Sequence, residues 1–145
     1  MIRKINSILL VGLLVFSAPI HAQKGNDKIE VFHIEEGKVI NEAALSSDIQ
    51  DEAEKYLANI SDVYKKINPF PKKGFIVKIP LQPSILVKNQ WIYTLADELT
   101  IIFPVEEEPF IMIYDDEHQV YFFTIEHQFN HYYLKKKLGL VNEKR

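Results

Sequence analysis

The sequence predicts an α+β domain: an antiparallel sheet with one long helix packed on a face and a short C-terminal helix. Three observations carry this. Short apolar or alternating runs recur between turn residues from Lys28 to Ile125, which is the pattern of hairpin-linked strands. One segment, about Asp48 to Lys66, instead repeats its apolar residues at spacings of three and four, the period of a helix face. The chain has 145 residues and no Cys, enough for one domain that is held by packing rather than by disulfides.

Residues 1–22 read as an export signal. Arg3 and Lys4 precede an apolar run from Ile8 to Phe16, and a small residue, Ala22, ends the segment. The run is nine residues long, short of the ~20 that cross a bilayer, so no transmembrane anchor is expected. Cleavage after Ala22 leaves 123 residues (145 less 22), with 15 basic against 20 acidic residues and a charge of −5. Without Cys there is no lipid attachment point.

Residues 23–28 form a polar lead-in, and residues 29–145 the single domain. Lys28 to Ile34 alternates as a strand; Gly37 permits the tight turn at 35–38; Val39 to Ala44 returns. The helix over 48–66 has Ser47 as N-cap and Gln50 at capping-box spacing. Asp48, Asp51 and Glu52 suit its first turns, and Lys65 and Lys66 its last. Asn68-Pro69-Phe70-Pro71 ends it. Gly74 to Leu81 is a strand whose Pro80 requires an edge or a bend. Gln82-Pro83 turns the chain, and Ser84 to Lys88 is a short strand. Gln90 to Asp97 fits a helix or a strand equally. Leu99 to Phe103 is a strongly apolar strand. Phe110 to Tyr114 and Val120 to Ile125 form a hairpin around Asp115-Asp116-Glu117-His118. Phe129 to Leu138 is the terminal helix, with Gly139 as its C-cap.

Charge is segregated along the chain. Residues 63–96 hold six Lys and no acid; residues 89–134 hold nine acids and no Lys or Arg. Either strands of opposite sign lie side by side, or the surface carries two patches of opposite sign. Arg145 is the only Arg after the signal. An acidic chain without Arg is poorly suited to gripping phosphate, so nucleic acid is not an expected partner.

No nucleophile elbow, Gly-rich phosphate loop or cysteine nucleophile is present, so catalysis is not the favoured reading. Two candidate sites remain. Eleven of the sixteen aromatics beyond the signal lie between Trp91 and Tyr133. Trp91, Tyr93, Tyr121, Phe123 and Tyr132 are candidate binding residues of an aromatic, acidic surface for a protein or cell-wall glycan partner. The competing reading is that Tyr121-Phe122-Phe123 is simply a core strand. The second candidate is metal: His127 and His131, four apart, would share a helix face and hold zinc with Glu126 as a third ligand. This spacing lacks the glutamate order of zinc proteases. Asp115 to His118 could bind a hard cation, or be a solvated turn.

Asn68-Pro69-Phe70-Pro71-Lys72-Lys73-Gly74 and Lys88-Asn89-Gln90-Trp91-Ile92 give the chain its resemblance to small secreted proteins of unknown function from low-GC Gram-positive bacteria of the Bacillus type. Cysteine-free export agrees with that source. The resemblance implies no activity and no functional residues. The expectation is a secreted, extracellular, non-enzymatic binding domain without a cofactor. The alternative is a small zinc-dependent enzyme using His127 and His131.

Overall fold

The structure, a computed structural model, describes residues 27–66 and 68–141. The expected export signal and residues 23–26 of the lead-in lie outside the described residues. Seven antiparallel strands form one sheet: β1 (Lys28–His33), β2 (Lys38–Ala44), β3 (Ile60–Val63), β4 (Gly74–Lys88), β5 (Tyr93–Pro104), β6 (Phe110–Tyr114) and β7 (Val120–Ile125). Their order across the sheet is β2-β1-β4-β5-β6-β7-β3. The described residues form two helices, α1 (Ser47–Ala58) and α2 (Tyr132–Lys137). Among the described residues no helix is long and apolar enough to cross a membrane.

The long helix over 48–66 is not formed, and the chain is therefore mainly a β-sheet protein with two short helices rather than a sheet carrying one long one. Asn59 caps α1 through its N–H and side chain on the Lys55 carbonyl, and residues 60–63 become β3. The physical reason lies in residues 59–63, Asn-Ile-Ser-Asp-Val, all from the weaker half of the helix scale. Ile60 and Val63 suit a pleated surface better, and Ser61 hydrogen-bonds Thr124 on β7 at 3.0 Å. The N-cap also moves by one residue. Ser46, not Ser47, accepts the Ile49 N–H. Gln50 leaves the capping role and bridges to β4, accepting from the Gln82 N–H and donating to the Pro83 carbonyl. Ser46→Ala should cost about 1 kcal/mol in denaturant unfolding, whereas Ser47→Ala should change the midpoint negligibly; equal effects would reverse the cap assignment.

Side chains alternate faces along each strand, so the register defines two rows. Val31, Val77, Ile101, Ile111 and Phe123 stand opposite one another across five strands. All five are buried with Ile49, Ala53 and Tyr56 of α1 and Leu134 of α2. The adjacent row is Phe32, Ile76, Ile102, Phe110 and Thr124, and it faces the other side. There Tyr64 stacks on Phe110 at 4.0 Å and Phe70 meets Phe122 edge-on at 5.8 Å. The strand 99–103 reads as strongly apolar because both of its faces are covered, with Thr100 buried among its apolar neighbours.

The β1–β2 hairpin turns at Gly37 (φ +62°) as expected. Gln82-Pro83 does not reverse the chain. β4 runs on through a register shift between Pro80 and Ile85, and both halves pair with β5. Gln90 to Asp97 resolves in favour of strand, with β5 starting at Tyr93. Pro80 is tolerated because β1 pairs only with Phe75 to Lys78, leaving that side of Pro80 free of a ladder. The terminal helix is shorter than 129–138, and Gly139 (φ +71°) ends it. Leu140 N–H bonds to the Lys135 carbonyl and Gly139 N–H to that of Lys136, a Schellman closure.

Both sheet edges are blunted. In β2 an extra residue, Ile40, interrupts the register opposite Val31 and Phe32. In β3, only four residues long, the Val63 N–H is taken by its neighbour's Asp62 Oδ1 at 2.7 Å. A bulge and an occupied donor both oppose edge-to-edge pairing. The charge blocks meet across the fold: Lys78 of β4 faces Glu98 of β5 at 3.5 Å, and Lys66 pairs with Glu107.

Candidate functional site

Beyond the register shift, β4 and β5 continue as a two-stranded arm with Leu86 opposite Leu95, Val87 opposite Thr94 and Lys88 opposite Tyr93. Period-two alternation turns Val87, Thr94 and Ala96 inward, where they are buried, and leaves Leu86, Tyr93 and Leu95 exposed. Beside the arm stands the β6–β7 loop, which Asp115 organises. Its Oδ1 accepts the N–H groups of Glu117 (2.9 Å) and Gln119 (2.8 Å), and its Oδ2 accepts the Tyr121 hydroxyl (3.1 Å). Desolvation pushes the Asp115 carboxyl up, but the bonds from Gln119, Tyr121 and Glu117 outweigh it and hold the group below its ordinary range. His118 completes the turn with a positive φ of 61°.

Among the described residues, one side-chain hydrogen bond ties the loop to the arm. The hydroxyl of buried Thr94 donates to Asp116 Oδ1 at 3.1 Å. Between them lies a cleft of about 430 Å³ lined by Leu95, Asp97, Glu98, Tyr114, Asp115, Asp116 and His118. Leu95 and Tyr114 supply apolar walls, and four carboxylates supply the charge. Asp97 is held by the Ser84 hydroxyl and Glu98 by Lys78. Asp97 and Glu98 also border a second hollow of about 410 Å³ on the side of Asp27, Lys78 and Gln82. The arrangement of carboxylates around apolar walls suits recognition of a positively charged group carried on an apolar stem.

The predicted aromatic residues do not form one surface. Phe123 is fully buried in the core. Trp91 is half-buried, its ring 5.8 Å from that of Phe123. Tyr121 is half-buried and stacks beside Phe123 at 6.2 Å. Only Tyr93, at 69% exposure, shares the outward row of the arm with Leu95. Tyr132 is exposed on α2, with Lys136 Nζ 5.9 Å from its ring. The cleft's own residues, Leu95, Asp97, Glu98 and Tyr114, were not singled out from sequence as a site. The alternation Tyr93-x-Leu95-x-Asp97 was the available signal, legible only once 90–97 is taken as a strand.

The proposed metal ligands are also separated in role. Residues 126–130 form a turn, with α2 starting only at Tyr132, so His127 and His131 do not share a helix face. Glu126 donates its N–H to the Asn59 carbonyl at 2.9 Å, and its side chain and His127 are exposed. His131 is committed elsewhere, its Nδ1 lying 2.9 Å from the Tyr56 hydroxyl. Among the described residues no three His, Asp or Glu gather to hold a metal ion. No protein-family model matches the chain, and neither a curated protein nor a solved structure shows significant similarity to it.

Proposed function

We propose that this chain is a secreted, non-enzymatic binding domain that takes a basic polypeptide segment in the cleft between the β4–β5 arm and the β6–β7 loop. The observation that carries the reading is the composition of that cleft: Asp97, Glu98, Asp115 and Asp116 around the exposed side chains of Leu95 and Tyr114. A Lys or Arg side chain fits both parts, with its methylene stem against the apolar walls and its charged head among the carboxylates. Export rests on the signal-like segment 1–22. Titration calorimetry with a short Lys/Leu peptide should show binding that weakens steeply as salt is raised. The double variant Asp97→Asn/Asp116→Asn preserves the acceptors for Ser84 and Thr94 and should weaken binding about tenfold, roughly the 1.4 kcal/mol of two partly screened charges. Tyr132→Ala, remote in role from this lining, should bind as the parent does. An isotherm indifferent to the double substitution would sink the reading.

A further inference from the structure

His131 stands where three elements meet. Its ring lies 5.4 Å from that of Tyr56 on α1, 5.1 Å from Phe129 in the preceding turn and 6.1 Å from Phe103 on β5. Its Nδ1 is 2.9 Å from the hydroxyl of Tyr56, a residue with no solvent exposure. It immediately precedes α2, whose Leu134 is buried in the core together with the C-cap residue Leu138. We propose that His131 is a proton-sensitive latch: its neutral imidazole fastens the C-terminal helix to α1, and protonation in mildly acidic solution releases that helix and uncovers the apolar floor beneath it.

The geometry supplies the mechanism. With its own proton on Nε2, the neutral imidazole accepts the Tyr56 hydroxyl hydrogen at Nδ1. Protonation turns Nδ1 into a donor, and the Tyr56 hydroxyl hydrogen is then left without an acceptor in a buried apolar setting. The cation would also sit half-buried against Tyr56, Phe129 and Phe103, with part of its hydration lost. The charged groups facing the ring are few. Glu108, from the β5–β6 connection, favours the protonated form; Lys135, on α2, opposes it; Glu52 of α1 acts on the Tyr56 hydroxyl. Burial outweighs Glu108, and the imidazole is held below its ordinary value. The sign follows: the open state takes up a proton from about pH 6.5 downward, before the closed state does, so closure is complete above that pH and weakens below it. Besides the packing of Leu134 and Leu138 and the approach of Lys135 Nζ to the Phe103 ring at 5.8 Å, the other polar ties of this segment among the described residues are an exposed ion pair, Lys137 to Asp48, and one hydrogen bond, Asn41 to the Leu138 carbonyl.

Amide hydrogen exchange followed by NMR tests this on the purified protein. Protection of the Lys135, Leu138 and Leu140 amides, corrected for intrinsic exchange and referred to the Ile101 amide of β5, should fall at least threefold from pH 7.5 to 5.0. The ceiling is about 30-fold, tenfold per pH unit below ~6.5. The variant Tyr56→Phe/His131→Phe removes both partners together and should show a fall of less than threefold. A wild-type fall below threefold, or an equal fall in the double variant, overturns the proposal. If the double variant does not fold, the wild-type His131 ring resonances decide: they must titrate in step with the α2 amides, and titration out of step overturns it equally.

Discussion

Gly74→Ala should destabilise the domain by about 3–4 kcal/mol and lower its melting temperature by on the order of 10–15 °C. Gly74 opens β4, an interior strand of the sheet, with φ +129°, a conformation that L side chains rarely adopt. An added Cβ would stand 2.1 Å from the Phe103 carbonyl oxygen and 3.0 Å from Pro104 Cα. Both obstacles are backbone of the neighbouring β5, so no side chain can swing aside to make room. The same residue is held from the other side: its carbonyl accepts the Ile34 N–H at 3.0 Å, and its N–H donates to Glu35 Oε2 at 3.1 Å. Relief by shifting the backbone would therefore break the junction of the first hairpin with β4. That hydrogen bond from Gly74 is also the main cause holding the Glu35 carboxyl below its ordinary value. Thermal unfolding followed by circular dichroism checks this, and a decrease of less than 3 °C would show that the junction yields.

The position of Gly74 illustrates which parts of this fold are legible in the sequence. Local features are. The turns at 35–38 and 115–118 lie between runs they join directly, and Gly139 follows three lysines at a helix end. The largely apolar run 99–103 marks a covered segment, and its shortness, its isoleucines and the Pro104 that follows favour a strand. What depends on distant partners is not legible. Ile60 and Val63 continue the helical spacing of Ile49, Ala53 and Tyr56, yet they belong to a strand, because β7, about sixty residues later, offers them an edge. The helix pattern and a short strand pattern coincide over four residues, and only the poor helix formers at 59–63 distinguish them. The acidic cleft is assembled in the same way. Its two sides are joined by Thr94 and Asp116, 22 positions apart, and nothing local to either residue announces the contact. Gly74 is readable as a strand start, but its crowding against Phe103 is a property of register.

The second large effect separates the core reading of the aromatic residues from the binding one. Phe123→Ala should cost about 3–5 kcal/mol, the usual range for emptying a buried phenylalanine site, while Tyr93→Ala should leave stability within about 0.5 kcal/mol. Tyr121-Phe122-Phe123 carries aromatics on both faces of one strand, and this pattern alone does not say which face is covered. The register answers it. Phe123 stands opposite Ile111 on β6 and Val63 on β3, inside the cluster beneath α1, and its ring neighbours Trp91 and Tyr121 pack against it. Removing the ring opens a cavity that the strands on either side, fixed by their ladders, cannot close by collapse. Tyr93, by contrast, projects from the outer row of the arm, 69% exposed, with Lys88 Nζ 5.9 Å from its ring. Denaturant unfolding of the two variants, paired with peptide titration, therefore separates two kinds of residue that look alike in the sequence. The Phe123 variant should lose affinity only in proportion to its unfolded fraction. The Tyr93 variant should remain folded, and any loss of affinity it shows would extend the binding surface from the cleft along the arm. Equal stability of the two variants would mean that the sheet face beneath α1 is not the core of this domain.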